Sequence, residues 1–250
     1  MTTAKPQSAE PKPKRRWFQY SLRTLLLLML LASIGMSWFA VKMQRARRQR
    51  EAVEAIEKLG GWVRFDYQVN QSIVLASSPP PQPPGPEWLR RVLGDDFFAK
   101  VVSADLHNTQ ATDAWLEHLD GLPHLQQLNL MGTPVSDAGV QHVERLGELR
   151  VLSLDSTQVT DAGLDRLRGL GQLQLLLLCN TKITDAGLMR LKGLRQLQSL
   201  WLYGTSVTDA GLEHLKELSH LQHLELSRTQ VTDEGVKRFQ HVMPNCRIDR

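Results

Sequence analysis

A recurring aspartate is the first residue type in this chain that could do chemistry. It stands at Asp113, Asp137, Asp161, Asp185, Asp209 and Asp233, each 24 residues after the last. If the chain stacks with that period, the carboxylates line up about 5 Å apart, close enough for neighbours to share a cation. Each also follows a hydroxyl residue, as in Ser136-Asp137, Thr160-Asp161 and Thr184-Asp185. That pair is the pattern of a helix N-cap with a negative charge at the positive end of the helix dipole, so capping accounts for the column without a metal. The histidines offer no better site: His220 and His223 lack a third ligand and the HExxH spacing. Gly169-Leu170-Gly171 lacks the third glycine of a dinucleotide loop and reads as a turn. Cys179 and Cys246 fall on strands three steps apart, about 14 Å, beyond the roughly 7 Å Cα limit of a disulfide. The sequence shows no P-loop, no nucleophile elbow and no Ser/His/Asp or Cys/His arrangement that the repeat does not explain. The expectation is a chain without catalytic residues, metal, cofactor or small-molecule substrate.

The elements that position these residues follow from the same period. Aligned copies read L-x-x-L-x-L-x-x-T-x-V-T-D-A-G-L-x-x-L-x-x-L, most plainly in LQLLLLCNTKITDAGLMRLKGL. Leu128, Leu152, Leu176, Leu200 and Leu224 form one column and Leu130, Leu154, Leu178, Leu202 and Leu226 another, two residues on, as inward positions of a strand require. Leu164, Leu167 and Leu170 are spaced by three and suit a short helix facing the same interior. Thr109, Thr133, Thr157, Thr181, Thr205 and Thr229 are read as local hydrogen-bond partners for a backbone leaving the strand. The recurring Gly139, Gly163, Gly187, Gly211 and Gly235 indicate close backbone approach or positive φ. A single copy cannot enclose its leucines, so neighbours must do it. The pattern resembles the leucine-rich repeat, a short solenoid period, over roughly residues 98 to 250. The fold class expected is α/β: a leucine-rich repeat solenoid with a curved parallel sheet and short helices on its convex side, preceded by a transmembrane helix.

Charge separates the two halves. Residues 1–50 hold eleven Lys/Arg against one acidic residue, +10, so with a net charge of +4 the remainder carries −6. A repeat region of that sign has no basic stripe for phosphates, and a nucleic-acid partner is excluded from the reading. From Leu25 to Val41 no residue is charged, which is the lower limit of a spanning helix. Trp17, Phe18 and Tyr20 on one flank and Trp38 and Phe39 on the other suit an interfacial aromatic belt. A cleaved signal peptide is the alternative, with Gly35-Met36-Ser37 its best cleavage site. Lys12, Lys14, Arg15, Arg16 and Arg23 precede the span and Lys42, Arg45, Arg47, Arg48 and Arg50 follow it, which gives little asymmetry; orientation is read as amino terminus inside, with the repeats exported, because short anchors of this kind commonly behave as uncleaved signals. The domain reading is a basic tail over 1–21, a transmembrane helix over 22–41 and a helical stalk over 42–61. A strand, proline-rich spacer and cap helix follow over 62–97, then the repeat domain over 98–250. WVRFDYQV, Trp62 to Val69, alternates like a strand, and Trp88, Leu89, Val92 and Leu93 are spaced as a helix expected to cap the first repeat.

The outward strand positions remain for function. They read Ser103, Gln127, Val151, Leu175, Ser199, His223, then Asp105, Asn129, Ser153, Leu177, Trp201, Glu225, then His107, Met131, Asp155, Cys179, Tyr203, Ser227. The middle repeats therefore present Val151, Leu175, Leu177, Cys179, Trp201 and Tyr203 together, with Asp155, His223 and Glu225 as a rim. An apolar, aromatic-bearing patch of this kind reads as a protein-binding face, against two plainer readings: strand-forming substitution, or cover by the N-terminal segment. SLRTLLLL, RARRQREAVEAIEKLGG, WLRRVLGDDFF and the VTDAGL repeats together resemble a family of bacterial membrane-anchored leucine-rich repeat proteins, and the repeat itself is similar to that of F-box adaptors. The resemblance implies a right-handed solenoid that binds other macromolecules and has no catalytic residues. The function expected is a membrane-anchored recognition module with a protein partner. The alternatives are an F-box-like adaptor, or an envelope component that self-associates, with Ser33 and Ser37 as a small-xxx-small contact.

Overall fold

The computed structural model describes residues 22–69 and 82–250. Trp17, Phe18 and Tyr20 of the expected aromatic belt and the first half of the proline-rich spacer, residues 77–81, lie outside them. The chain divides into two compact units, residues 1–42 and 43–250. Helix α1, Leu22–Lys58, contributes to both. In the first unit every residue from Leu25 to Val41 is exposed. Among the described residues α1 is the one helix long and apolar enough to cross a membrane. The Ser33 hydroxyl donates to the Leu30 carbonyl of its own helix at 2.8 Å.

The second unit is built on one eight-stranded sheet whose order follows the sequence. After β1, Trp62–Phe65, come β2, Val101–Asp105, and six three-residue strands: β3 Gln127–Asn129, β4 Val151–Ser153, β5 Leu175–Leu177, β6 Ser199–Trp201, β7 His223–Glu225 and β8 Arg247–Asp249. From β2 onward every neighbouring pair is parallel and shifted by 24 residues, as in Leu152↔Leu176 and Leu176↔Leu200. Between strands the chain returns through short helices: α4 Asp137–Val143, α5 Asp161–Leu164, α6 Asp185–Leu188, α7 Asp209–Leu215 and α8 Asp233–Val242. In the two middle repeats a 3-10 turn extends the helix, Asp165–Gly169 and Met189–Gly193.

Leucine periodicity explains the interior. Leu152, Leu176 and Leu200 from the strands and Leu164, Leu167 and Leu170 from the return segment are all fully buried. A leucine so buried contributes about 1.5–3 kcal/mol, and because each column runs through all repeats the interior is one continuous cluster. At the end of each strand the threonine hydroxyl donates to the carbonyl three residues back, from Thr109 to Leu106 at 2.7 Å through Thr229 to Leu226 at 2.6 Å. The residue before each threonine takes the left-handed conformation: Asn108, Gly132, Ser156, Asn180, Gly204 and Arg228 all have φ between 54° and 69°. Glycine accepts that region freely, asparagine with modest cost, and serine or arginine only when the surrounding structure imposes it.

The amino-terminal end differs from expectation. The segment read as a stalk, 42–61, is helical to Lys58, but it is not a free stalk: Ala52 and Ile56 are 2% and 0% exposed and belong to the leucine interior. β1 then pairs antiparallel with β2 and covers the sheet edge. The helix expected to cap the first repeat does form, as α3, Glu87–Leu93, yet none of its residues is buried and Trp88 is 67% exposed. Capping falls to residues 43–65 because Ala52, Ile56 and Leu59 form a continuous apolar stripe that fits the open leucine columns. Trp88 and Val92 stand on the side of α3 away from the body. The strand expected over Trp62–Val69 stops at Phe65 and continues as a helical turn, α2, Asp66–Val69. There the Asp66 carboxylate accepts from the Tyr67 amide at 2.9 Å and the Lys100 amide at 3.2 Å, and the Gln68 carbonyl accepts from the Phe65 amide at 2.8 Å. Such side-chain bonds compete with strand pairing.

Candidate functional site

The aspartate column resolves into a ladder between repeats. The Asp137 Oδ1 accepts from the Thr160 amide at 2.7 Å and its Oδ2 from the Thr160 hydroxyl at 2.6 Å. Asp113, Asp161, Asp185 and Asp209 hold Ser136, Thr184, Thr208 and Thr232 in the same way. Each hydroxyl so held caps the next helix, Thr160 Oγ1 accepting from the Ala162 amide at 3.3 Å. Both carboxylate oxygens are thus committed to neutral donors of the following repeat, and in Asp209 the Oδ2 also accepts from the Arg238 guanidinium at 3.0 Å. Among the described residues no cluster of three or more His, Cys, Asp or Glu is placed to hold a metal ion.

The ladder also explains the glycines. A Cβ built on Gly163 would lie 2.5 Å from the Asp137 Oδ1, and one on Gly139 would lie 2.5 Å from the Asp113 Oδ1. None of the five recurring glycines has positive φ, so close approach is the reason for them.

On the opposite side of each strand the outward residues form the concave face. Val151 lies beside Leu175, Ser153 beside Leu177, and Leu177 beside Trp201, whose other neighbour is Glu225. Trp201 is 45% exposed, His223 is exposed, and Val151, Leu175, Leu177, Cys179, Tyr203 and Glu225 are half-buried. Val151, Leu175, Leu177 and Asp155 border a cavity of about 400 Å³ that extends to the amino-terminal edge of the sheet, where Trp62 and Arg64 of β1 form its wall. The Arg64 guanidinium stands over the Trp62 ring at 5.3 Å. Cys179, Trp201 and Tyr203 lie outside that cavity, and Tyr203 is covered by the Arg228 guanidinium at 5.3 Å from its ring. Sequence alternation in WVRF indicated a strand but could not show that it would add antiparallel to the concave sheet and bring Trp62 and Arg64 to this face.

Asp155, expected on the rim, is instead buried, its Oδ1 accepting from the Cys179 amide at 2.7 Å. Burial pushes its carboxyl above the ordinary aspartate range, against the pull of the Cys179 amide and the Ser153 hydroxyl. Burial, reinforced by the Asp155 charge, pushes the Cys179 thiol up to about 12, and burial alone pushes Cys246 to about 11. Both thiols are protonated at neutral pH and are poor nucleophiles.

A family model described as Leucine Rich repeat matches residues 121–142 and 217–239. That match agrees with the in-register stack and the leucine interior: the fold is a leucine-rich repeat solenoid. No curated protein sequence matches it. Among solved structures, this leucine-rich repeat chain is similar to an internalin (InlF) of Listeria monocytogenes, with 22% identity, 53% of this chain and 36% of that chain covered, and a TM-score of 0.46. Internalin C2 of the same organism gives 25% identity, 61% and 75% coverage and a TM-score of 0.47. A leucine-rich repeat protein of Leptospira interrogans gives 25%, 53%, 39% and 0.41. The chain thus spans little more than a third of the InlF and Leptospira chains.

Proposed function

We propose that this protein is a membrane-tethered, non-catalytic recognition module that captures a protein partner on the concave face of its repeats. The observation that carries the reading is the in-register pair Leu177 and Trp201 on the outer side of strands β5 and β6, with Trp201 45% exposed where repeat geometry makes no demand for an aromatic. Large aromatic and aliphatic anchors grouped on one exposed face are what dominate protein–protein binding energy. The neighbouring cavity walled by Trp62, Arg64, Val151 and Leu177 adds depth to an otherwise shallow sheet. Tethering is supported by the fully exposed apolar run from Leu25 to Val41, a form in which water is a poor solvent for it. We assign the amino terminus to the inside and the repeats to the outside.

The test is capture from detergent-solubilised membranes by the full-length protein and by a Trp201→Ala/Leu177→Glu variant whose folding is checked by circular dichroism. Loss of the captured partners with an unchanged melting profile supports the face. Recovery of the same partners removes it. Proteinase treatment of intact cells reports orientation: digestion of the repeats is expected, and their full protection reverses the assignment.

A further inference from the structure

Outside the apolar run, Val92 and Trp88 are the two most exposed large hydrophobic side chains among the described residues, 74% and 67%, ahead of Val242 at 49%. They stand four apart on α3 and therefore share one face, one turn above the other. Arg91 flanks that face, paired with Glu87 at 2.5 Å. We propose that this face of α3 seats on an anionic lipid surface, giving the repeat unit a second membrane contact. The proposal rests on the membrane-tethered reading.

The attachment of α3 to its own unit makes the contact possible. The segment just after it is fixed to the first turns of α1 within residues 43–250. Asp96 accepts from the Arg50 Nε at 3.0 Å, and the buried Gln49 amide donates to the Ala99 carbonyl at 2.9 Å while its carbonyl accepts from the Val101 amide at 3.3 Å. Gln49 and Arg50 lie six and seven residues into the unit, roughly 10 Å of helix from Met43. Met43 is joined through Lys42 to the run ending at Val41. Chain connectivity alone therefore keeps this end of the unit close to any bilayer the run enters.

Charge selects an anionic surface. Lys42, Arg45, Arg47, Arg48 and Arg50 follow the run with no acidic residue among them, and Arg45, Arg47 and Arg48 are exposed. Glu87, Asp95 and Asp96 are each met by an arginine, Arg91, Arg90 and Arg50 in turn. On α1 the exposed Arg45, Arg47 and Arg48 come before Glu51, Glu54 and Glu57, so the stretch of the unit next to the run is basic. Tryptophan with a flanking arginine is a side-chain set that favours the headgroup level. Two apolar side chains hold a membrane weakly by themselves, so the contact should require the anionic headgroups as well.

The experiment uses the full chain carrying Val92→Cys labelled with the environment-sensitive fluorophore NBD. The two native thiols are removed as Cys179→Ser and Cys246→Ser so that label reports position 92 alone. The protein is reconstituted into phosphatidylcholine vesicles with and without 30 mol% phosphatidylglycerol, floated on a density gradient, and quenched with nitroxide lipids. Expected are flotation with both, and NBD emission that is blue-shifted and quenched at least two-fold more with phosphatidylglycerol, an effect lost on adding Trp88→Ser. Flotation with an NBD signal like that of free label in water overturns this proposal and leaves tethering intact. Failure to float overturns both. Equal quenching without phosphatidylglycerol overturns the anionic requirement, and a blue-shifted NBD emission that nitroxide lipids do not quench overturns lipid as the occupant in favour of the protein itself.

Discussion

The two ends of each repeat strand are governed by different rules. Where the chain enters its helices, five successive repeats use the same hydroxyl–carboxylate bonds with distances that vary by about 0.2 Å, from 2.7 to 2.9 Å at the amides. On the outer face of the sheet, equivalent positions carry Asn129, Ser153, Leu177, Trp201 and Glu225. The ladder repeats because each aspartate must meet the next repeat, so one change there breaks two repeats at once. The outer face varies because its side chains meet solvent and each other, and the stack stands whatever they are. Uniformity therefore marks what holds the protein together, and variation marks where a partner can be specified.

The largest expected effect breaks the interior that both regions share. Leu176→Ala, fully buried in the middle strand, should cost about 2–5 kcal/mol, measured by urea denaturation. A cost below about 1 kcal/mol would mean that the columns do not form one packed core.

The ladder is tested next. Gly163→Ala places a Cβ against the Asp137 Oδ1, and the strain should cost about 1–3 kcal/mol. Asp137→Ala should cost a similar amount by leaving Thr160 without its acceptor. Combined, the two should cost less than their sum, because the second removes the atom with which the first collides. Strict additivity would refute the collision.

A pH comparison sharpens the contrast, because Asp209 of the ladder and Asp155 of the outer face shift in opposite directions. The Thr232 amide and hydroxyl hold Asp209 below the ordinary range. That stabilisation is present above the unfolded pKa and is lost as pH falls through the lower folded value. Burial holds Asp155 above the ordinary range, so the folded state binds its proton more tightly than the unfolded one. Stability tied to Asp155 falls as pH rises from the unfolded to the folded value. Asp209→Asn should therefore lower stability at neutral pH more than at pH 3. Asp155→Asn should flatten the pH dependence just above the ordinary aspartate value. Identical pH profiles for the two variants would erase the distinction. The smallest effect belongs to Trp201→Ala, expected within about 0.5 kcal/mol of wild type as a surface substitution; a cost above 2 kcal/mol would make Trp201 a structural residue.

Much of this was legible in the residues. The 24-residue period, the inward leucines and the helix caps all follow from alternation and spacing. What was missed shares one cause: it depends on partners outside the local segment. Ala52 and Ile56 are spaced as a helix face whether they line a stalk or close a solenoid. Asp137 reads as a cap charge until Thr160, 23 residues away, is found within reach. Asp155 looks like a rim residue until the Cys179 amide takes it inward. The left-handed column from Asn108 to Arg228 has no shared residue type to betray it.

By itself the sequence determined that identical coils stack and which side chains they enclose, because a periodic apolar pattern has only one way to remove itself from water. Only the tertiary structure decided what closes the first coil, which outward residues share a cavity, and which carboxylates are consumed within the stack. Those outcomes depend on distances between atoms far apart in the chain, and no local spacing carries them.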